Sequence, residues 1–157
     1  MNDQHIRQQL VNTLVKRQAH QPFETVIDGF PPAHYNTRPP NLPYSFWHLL
    51  EHMRIAQADI LNYIENPDYQ YLNFPTDYWP APETQAQHAD WQRTIERFLA
   101  DRAALVAIIQ DPARELTAQI PHGEPSHSIL REILVVAAHN AYHIGEFGIL
   151  RGALNLR

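Results

Sequence analysis

The stretch AAHNAYHIGEFGILRGAL, from Ala137 to Leu154, indicates what kind of fold this chain adopts. Its apolar residues recur at the spacing of a helix that packs against a core. His139 and His143 lie four residues apart in it, where a core helix usually carries leucine or alanine. Residues at this spacing lie on one face of a helix, one turn above each other. Two neutral imidazoles placed in this way can bind one divalent cation, at metal–nitrogen distances of about 2.0–2.1 Å.

The rest of the chain predicts three more long helices and no strand. Asn2 or Asp3 can cap the first helix, and Ser45 can cap the second. The helix that contains the two histidines is predicted to begin after Ser126 or Ser128. Apolar residues recur at helical spacing in all four segments. The predicted helices cover residues 2–19, 45–66, 84–110 and about 126–153.

Four amphipathic helices without a strand predict an all-α four-helix bundle, formed by residues 1–157 as a single domain. The 13 prolines cluster between the helices, and a short helical turn is predicted at residues 23–27. The connections have about fifteen residues or more, a length that is uncommon in a compact bundle and often functional. Because each connection can cross the length of the bundle, the helix directions stay open at this point.

Composition excludes several classes of protein. The net charge is -5 and no basic stripe occurs, so we expect no nucleic-acid partner. The stretch ILREILVVAA is interrupted by Arg131 and Glu132, and we expect no membrane span. The chain has no cysteine, which excludes disulfides, thiolate metal sites and a cysteine nucleophile. These features, with an N-terminus unlike a signal peptide, predict a cytoplasmic protein.

Histidine is abundant, with 10 residues in the chain. Two pairs have the four-residue spacing, His48 with His52 and His139 with His143, whereas this composition gives roughly half of one such pair by chance. Both pairs lie in apolar helices, where a histidine without a partner is costly. The residues alone leave both metal binding and chance pairing open.

Two segments resemble the DinB/YfiT-like family. HNAYHIGEFGILR is similar to the family's C-terminal motif, in which a second histidine follows the first after three residues and a glycine comes two positions later. PYSFWHLLEHMRIAQADIL is similar to its second-helix segment, where the metal-binding histidine follows a pair of apolar residues. The resemblance covers essentially the whole chain in helix order.

The resemblance implies a bundle of up-down-down-up topology with an open three-histidine metal site, formed here by His52, His139 and His143. It also implies a metal-dependent enzyme, either a hydrolase or a thiol S-transferase, that acts on a small-molecule substrate. Zinc, nickel, iron or copper would suit three imidazoles. A low-molecular-weight thiol would serve as co-substrate in the transferase version, and a homodimer is compatible with the family. No catalytic residue is assigned.

Two positions depart from the family pattern. Glu146 stands where glutamine is frequent, and it is expected to support a ligand, to act as a fourth ligand or to face solvent. His48 lies one turn before His52 and is the alternative ligand from this helix. We favour His52 and expect His48 to be partly exposed near the rim of the bundle.

Other residues have weaker predicted roles. Glu132 and Asp59 lie seven residues from His139 and His52, so each shares a face with its histidine and is a candidate hydrogen-bond partner. Trp79 is the candidate lid residue in the aromatic connection at 67–83. The remaining candidates are Glu51 and Asp28 as weaker partners, Asn140 for a buried hydrogen bond, Tyr142 for packing, and Arg54 and Arg151 for an anionic substrate. For the four carboxylates and the two arginines, plain exposure to solvent is the alternative, and it is favoured because a charge on a helix usually faces solvent. No role is predicted for His5, His20, His34, His88, His122 and His127.

Three functions remain open from the sequence. The first is the metal-dependent enzyme. The second is a non-catalytic or stress-associated protein whose histidine site is structural or sensory. The third is a scaffold or dimerisation module whose histidines bind nothing. Coordination that leaves an exchangeable position favours the enzyme, and a closed site favours the structural role.

Overall fold

The computed structural model describes residues 3–156, which form helices and no strand. An isolated bridge pairs Gln119 with Ser128. Short 3-10 turns occur at Pro32–His34 and Thr76–Tyr78. The predicted all-α fold is confirmed, and the short turn predicted at residues 23–27 is present. The helices are α1 (Asp3–Val15), α2 (Phe23–Ile27), α3 (Phe46–Glu65), α4 (His88–Gln110) and α5 (Ile129–Ala153).

Side-chain caps fix where α3 and α5 begin. The Ser45 hydroxyl accepts a hydrogen bond from the backbone N–H of His48, as predicted. Of the two candidates for α5, Ser128 is the cap and accepts from the N–H of Arg131. Ser126 has a positive φ of 69° and lies in the preceding turn. A serine cap satisfies one of the amide donors that the first helical turn leaves free.

Two other boundaries differ from the prediction. Helix α4 begins four residues later than residue 84, because the Asp90 carboxylate accepts from the N–H of Gln87 and closes a capping box there. Helix α1 ends at Val15 and not at residue 19, and beyond its end the Gln18 side chain donates to the carbonyl of Asn12. The alternative α1 cap, Asn2, lies outside the described residues.

The four long helices form a closed ring of contacts. Helix α3 packs against α4 and α5, and α1 packs against the same two helices from the opposite corner. The short helix α2 packs on α5. Each long helix therefore has two neighbours, which is the arrangement of a four-helix bundle.

Specific side-chain contacts give the helix directions. Arg7 near the start of α1 donates to the carbonyl of Ile109 at the end of α4, so these helices are antiparallel. Helices α3 and α4 are parallel, because residues 47 and 57 contact residues 94 and 98 in the same order. Helices α3 and α5 are antiparallel, because residues 52 and 57 contact residues 143 and 140. The topology is up-down-down-up, as the family resemblance implies.

A polar rung crosses the interior between α3, α4 and α5. Gln57 is fully buried and donates to the carbonyl of Phe98 at 2.7 Å, and Asn140 donates to the Gln57 amide oxygen at 2.9 Å. The predicted buried hydrogen bond of Asn140 is therefore confirmed. Buried amides hold neighbouring helices in register, because any sliding would leave them unpaired. The rung fixes the faces of α3 and α5 that meet beside it.

Helix α5 contains a long apolar stretch after the two charged residues near its start. Among the described residues it is the helix whose length and mean hydropathy, 1.2 over its best 18 residues, would suffice to cross a membrane. The charges of Arg131 and Glu132 lie near its start, so a longer apolar window follows them. The core helix of a bundle meets the same criteria, and α5 packs against α1, α2 and α3. The absence of a membrane partner stays a prediction.

Candidate metal centre

Helices α3 and α5 bring the three predicted histidines together. The Nε2 atom of His52 lies 3.1 Å from Nε2 of His139 and 3.2 Å from Nε2 of His143. One ligand nitrogen from each of the three residues lies within 4.8 Å of the others. His52 and His143 are buried, and His139 is half-buried. The histidines come from two antiparallel helices, since the pair on α5 lies one turn apart and faces His52.

The spacing of these nitrogens fits a single metal ion. Two nitrogens that ligate one tetrahedral ion at 2.0–2.1 Å lie about 3.3 Å apart. The Nε2 separations of 3.1 and 3.2 Å are close to this value. Both the donor atoms, which are imidazole nitrogens, and their spacing therefore suit a divalent transition metal.

Hydrogen bonds to the opposite ring nitrogens orient two of the imidazoles. His52 Nδ1–H donates to the backbone carbonyl of Tyr78 at 2.8 Å, and His143 Nδ1–H donates to Glu146 at 2.7 Å. A carbonyl can only accept, so Nε2 of His52 carries the lone pair. With neutral rings, the two Nε2 lone pairs face each other and repel unless a cation or a shared proton lies between them. This is the donor arrangement that a metal ion requires.

The surroundings of two histidines keep their imidazoles neutral. Burial, together with the neighbouring His143 and His52, lowers the pKa of His139 to about 4. Burial likewise lowers the pKa of His52. Both rings are therefore uncharged near neutral pH, and the neutral imidazole is the form that ligates metals.

His139 also has a buried ring nitrogen without a partner. Its Nδ1 atom and the side-chain oxygen of Asn140 are the two buried side-chain polar atoms without a hydrogen bond in the described part of the chain. An imidazole that ligates through Nε2 carries a proton on Nδ1. If His139 carries its proton on Nδ1, this nitrogen is a hydrogen-bond donor and the side-chain oxygen of the adjacent Asn140 is an acceptor.

Glu146 supports a histidine and lies outside the nitrogen cluster. One of its carboxylate oxygens accepts from His143, and the other accepts from the hydroxyl of Tyr44. Of the three roles left open for Glu146, the structure shows support of a ligand-candidate histidine. A carboxylate that holds the far nitrogen fixes the ring orientation and increases the basicity of the near one.

The aromatic connection covers one side of the cluster. Trp79 stacks on the ring of His52 with 3.9 Å between ring centroids and an interplanar angle of 1°. Tyr44 also stacks on the indole, with 5.0 Å between ring centroids. Trp79, the predicted lid residue, therefore covers one face of the His52 ring, and its function as a lid stays a prediction.

His48 is separate from the cluster. Its ring bonds the Ser45 hydroxyl at 2.6 Å and the backbone carbonyl of Ala81 at 3.1 Å, so both nitrogens are occupied. The structure brings His52, and not His48, to the α5 pair, and the role of His52 as the ligand stays a prediction. The expected partial exposure of His48 is wrong, since only 3% of it is accessible. The segment around Ala81 covers it, and sequence periodicity does not show where a connection folds back.

A cavity of about 310 Å³ adjoins the cluster at His52 and His139. Its walls are mostly aromatic and aliphatic, and they include Asp59 and Glu132. A small-molecule site typically combines apolar walls with a few polar groups. The further lining residues are Ala56, Ile60, Tyr63, Tyr69, Tyr71, Phe74, Tyr78, His127, Arg131 and Val135.

The predicted carboxylate partners bond elsewhere than to the three histidines. Asp59 accepts from two tyrosine hydroxyls in the cavity wall, and Glu132 accepts from Arg131. Glu51 accepts from Arg54 and from a threonine of α4. Asp28 ends α2. Seven residues along a helix keep two side chains on one face but separate them by about 10 Å, which is too far for contact.

Two further expectations are corrected. Tyr142 is 71% exposed, so it does not pack in the core, although its ring lies nearly perpendicular to that of His143 with 4.8 Å between centroids. Arg54 and Arg151 bond within the protein, Arg54 to Glu51 and Arg151 to the carbonyls of residues 26 and 156. Neither arginine lines the cavity beside the histidines.

Sequence reasoning missed two groups at this site. Tyr78 contributes its backbone carbonyl to His52, and Tyr44 contributes its hydroxyl to Glu146. A carbonyl has no sequence pattern, because every residue carries one. Tyr44 directly precedes the helix cap Ser45, and this position beside the second-helix motif is the one hint that the sequence offers.

A family model for the DinB superfamily matches residues 17–147, which include all three histidines. The chain belongs to the DinB superfamily. No curated protein and no solved structure matches the chain significantly. Membership in this superfamily leaves the reaction open.

Proposed function

We propose that this DinB superfamily protein is a metal-dependent enzyme. It binds one divalent transition metal, zinc, nickel or iron, through His52, His139 and His143, and it acts on a small-molecule substrate. The observation that carries the proposal is the convergence of three imidazole nitrogens at metal-ligand spacing beside a cavity. A purely structural site has no need of an adjoining cavity.

The ligand set supports an open site. Three protein nitrogens fill three positions of a four-coordinate ion and leave one for exchange. When bound, such a metal supplies Lewis acidity, which activates water in a hydrolase or a thiol in an S-transferase. The chain has no cysteine, so a thiol would be a low-molecular-weight co-substrate.

The protein's own groups have separate tasks in this proposal. The Tyr78 carbonyl and the Glu146 carboxylate hold the protons on Nδ1 of His52 and His143, which keeps the Nε2 lone pairs directed at the centre. Trp79 restricts water on one side. The cavity positions the substrate on the other side, next to His139.

The alternative is a non-catalytic metal protein with a structural or sensory site. The stacking of Trp79 on His52 favours it, because a covered histidine suggests restricted exchange. Coordination separates the two functions, since an enzyme requires an exchangeable water at the ion. Water proton relaxation measured on manganese- or cobalt-loaded protein reports that exchange.

A homodimer is also proposed. Helix α5 presents an apolar stripe to solvent in which Leu134, Tyr142 and Ile149 are 52%, 71% and 74% exposed. From Leu134 to Ile149 the stripe extends for about 22 Å along the helix. Contact with a second copy would remove this surface from water.

Elemental analysis of untagged protein tests the metal site. We expect about one transition metal per chain in wild type and in His48→Ala, and little in His139→Ala. His48→Ala is the matched control, because it removes a buried imidazole of the same bundle that lies outside the cluster. No metal in wild type, and no uptake from zinc, nickel or iron solutions after dialysis, would refute the metalloenzyme.

A further inference from the structure

The cavity extends from the histidine cluster toward two carboxylates. Asp59 follows His52 by seven residues on α3, and Glu132 precedes His139 by seven residues on α5. Seven residues of helix cover about 10 Å. Because α3 and α5 are antiparallel, both carboxylates lie toward the same end of the cavity, away from the histidines.

The two carboxylates differ in their partners. Glu132 is paired with the guanidinium of Arg131 at 2.7 Å and lies 3.6 Å from His127. Asp59 has no cationic partner within the described residues. Its two oxygens accept from the hydroxyls of Tyr69 and Tyr78, at 2.9 and 2.6 Å. The cavity wall therefore carries one negative charge that no side chain neutralises.

The two tyrosines hold Asp59 as an acceptor. Burial raises the pKa of Tyr69, and the hydrogen bond to Asp59 raises it further. The hydroxyls of both tyrosines donate to the carboxylate. Tyr78 also links the two ends of the cavity, since its backbone carbonyl holds His52.

Aromatic rings surround this end of the cavity. The ring of Tyr69 lies nearly perpendicular to those of Tyr63 and Tyr71, with centroids 4.9 and 5.0 Å away and interplanar angles of 78° and 80°. All three of these rings line the cavity. The face of an aromatic ring attracts a cation, most of all an alkylated ammonium. The aromatic lining residues are Tyr63, Tyr69, Tyr71, Phe74 and Tyr78.

We propose that this cavity binds a small molecule with an apolar body and a cationic amine or quaternary ammonium group. The cation lies at Asp59 among the tyrosine rings, and the other end of the molecule points toward His52 and His139. A cavity of about 310 Å³ accommodates a ligand of this size. The one arginine in its wall, Arg131, is already paired with Glu132, so an anionic ligand has no free cation there. The further step that this cationic molecule is the substrate rests on the proposed function.

Binding of benzyltrimethylammonium to metal-free wild type, followed by NMR titration, tests the proposal. Neopentylbenzene, the neutral isostere, and phenylacetate, an anion, are the comparison probes. We expect the cation to bind about tenfold more tightly than the isostere. Asp59→Asn is expected to abolish this preference. Asp68→Asn, which changes an exposed carboxylate outside the cavity, is expected to leave it intact.

A second variant protects the test against a folding defect in Asp59→Asn. Tyr71 is 62% exposed, so Tyr71→Leu removes an aromatic face with little risk to the fold, and we expect it to weaken cation binding several-fold. Equal binding of the cation and the isostere by wild type would overturn the proposal. So would an unchanged preference in a folded Asp59→Asn.

Titration of the same samples with zinc, nickel and iron separates this proposal from the metal function. A cation preference in protein that binds none of zinc, nickel and iron would refute the metal enzyme and support the cation site. Zinc binding without a cation preference would overturn the cation site and leave the metal site standing.

Discussion

Replacement of Glu146 tests whether the contacts behind the histidines matter for the metal. Its carboxylate accepts from His143 Nδ1 at 2.7 Å, a length typical of a charge-assisted hydrogen bond. Glu146→Leu removes the acceptor and leaves the Nδ1 proton of a buried ring without a partner. Loss of such a supporting contact typically lowers metal affinity by about 10–100-fold, or about 1.4–2.7 kcal/mol.

Glu146→Gln provides a graded comparison, because the amide oxygen can still accept from His143 while the charge is lost. Hydrogen bonds to charged groups contribute about 1 kcal/mol more than neutral ones, so we expect a loss of about fivefold. Glu115→Gln, at an exposed carboxylate away from the cluster, serves as the matched control and should bind like wild type.

Competition with a chromophoric zinc chelator gives the dissociation constants of these untagged proteins. Circular dichroism confirms that each variant keeps its helix content. Wild-type affinity in a folded Glu146→Leu would refute the reasoning, since it would mean that the contact with His143 does not orient a ligand.

Three more predictions concern zinc binding, the buried contact between Asn140 and Gln57, and the exposed surface of α5. Zinc at about 100 times its dissociation constant should stabilise wild type by about 2.7 kcal/mol, and so raise the melting temperature by about 5–10 °C in a thermal scan; a similar rise in His139→Ala would contradict the site. Asn140→Ala should lower the free energy of unfolding by about 1–3 kcal/mol in urea, because it leaves the fully buried Gln57 oxygen unpaired; an unchanged midpoint would show that the polar rung contributes nothing. Light scattering should give a dimer for wild type and a monomer for Ile149→Asp; a monomeric wild type would reject the proposed α5 interface, and a detergent-dependent mass would point to a membrane.

The aromatic connection at 67–83 combines two roles in these proposals. Trp79 covers His52 at one end, and Tyr69 and Tyr78 hold Asp59 at the other. A single segment therefore walls both the metal centre and the cation site. Its length, unusual for a loop in a bundle, agrees with a functional segment.

Local patterns in the sequence were enough to determine the helices. Apolar spacing and the absence of internal proline identified all four long helices, and Ser45 was identified as a cap because the hydroxyl acts on an amide three residues away. The later start of α4 depended on a glutamine cap and an aspartate acting together, which is a weaker pattern. The position of His143 one turn after His139 follows from helical geometry alone.

Only the tertiary structure decided what the histidines meet. His48 and His52 lie one turn apart on the same face of α3, so which of them lies level with the α5 pair depends on the register of α3 along α5, which the hydrogen bond from Asn140 to Gln57 helps to set. The partners of His52 and Glu146 come from Tyr78 and Tyr44, in connections that spacing cannot place. The sequence determined that imidazoles would line one face of a helix, because helix formation is local. Their convergence at about 3 Å is a long-range contact, so only the fold establishes it.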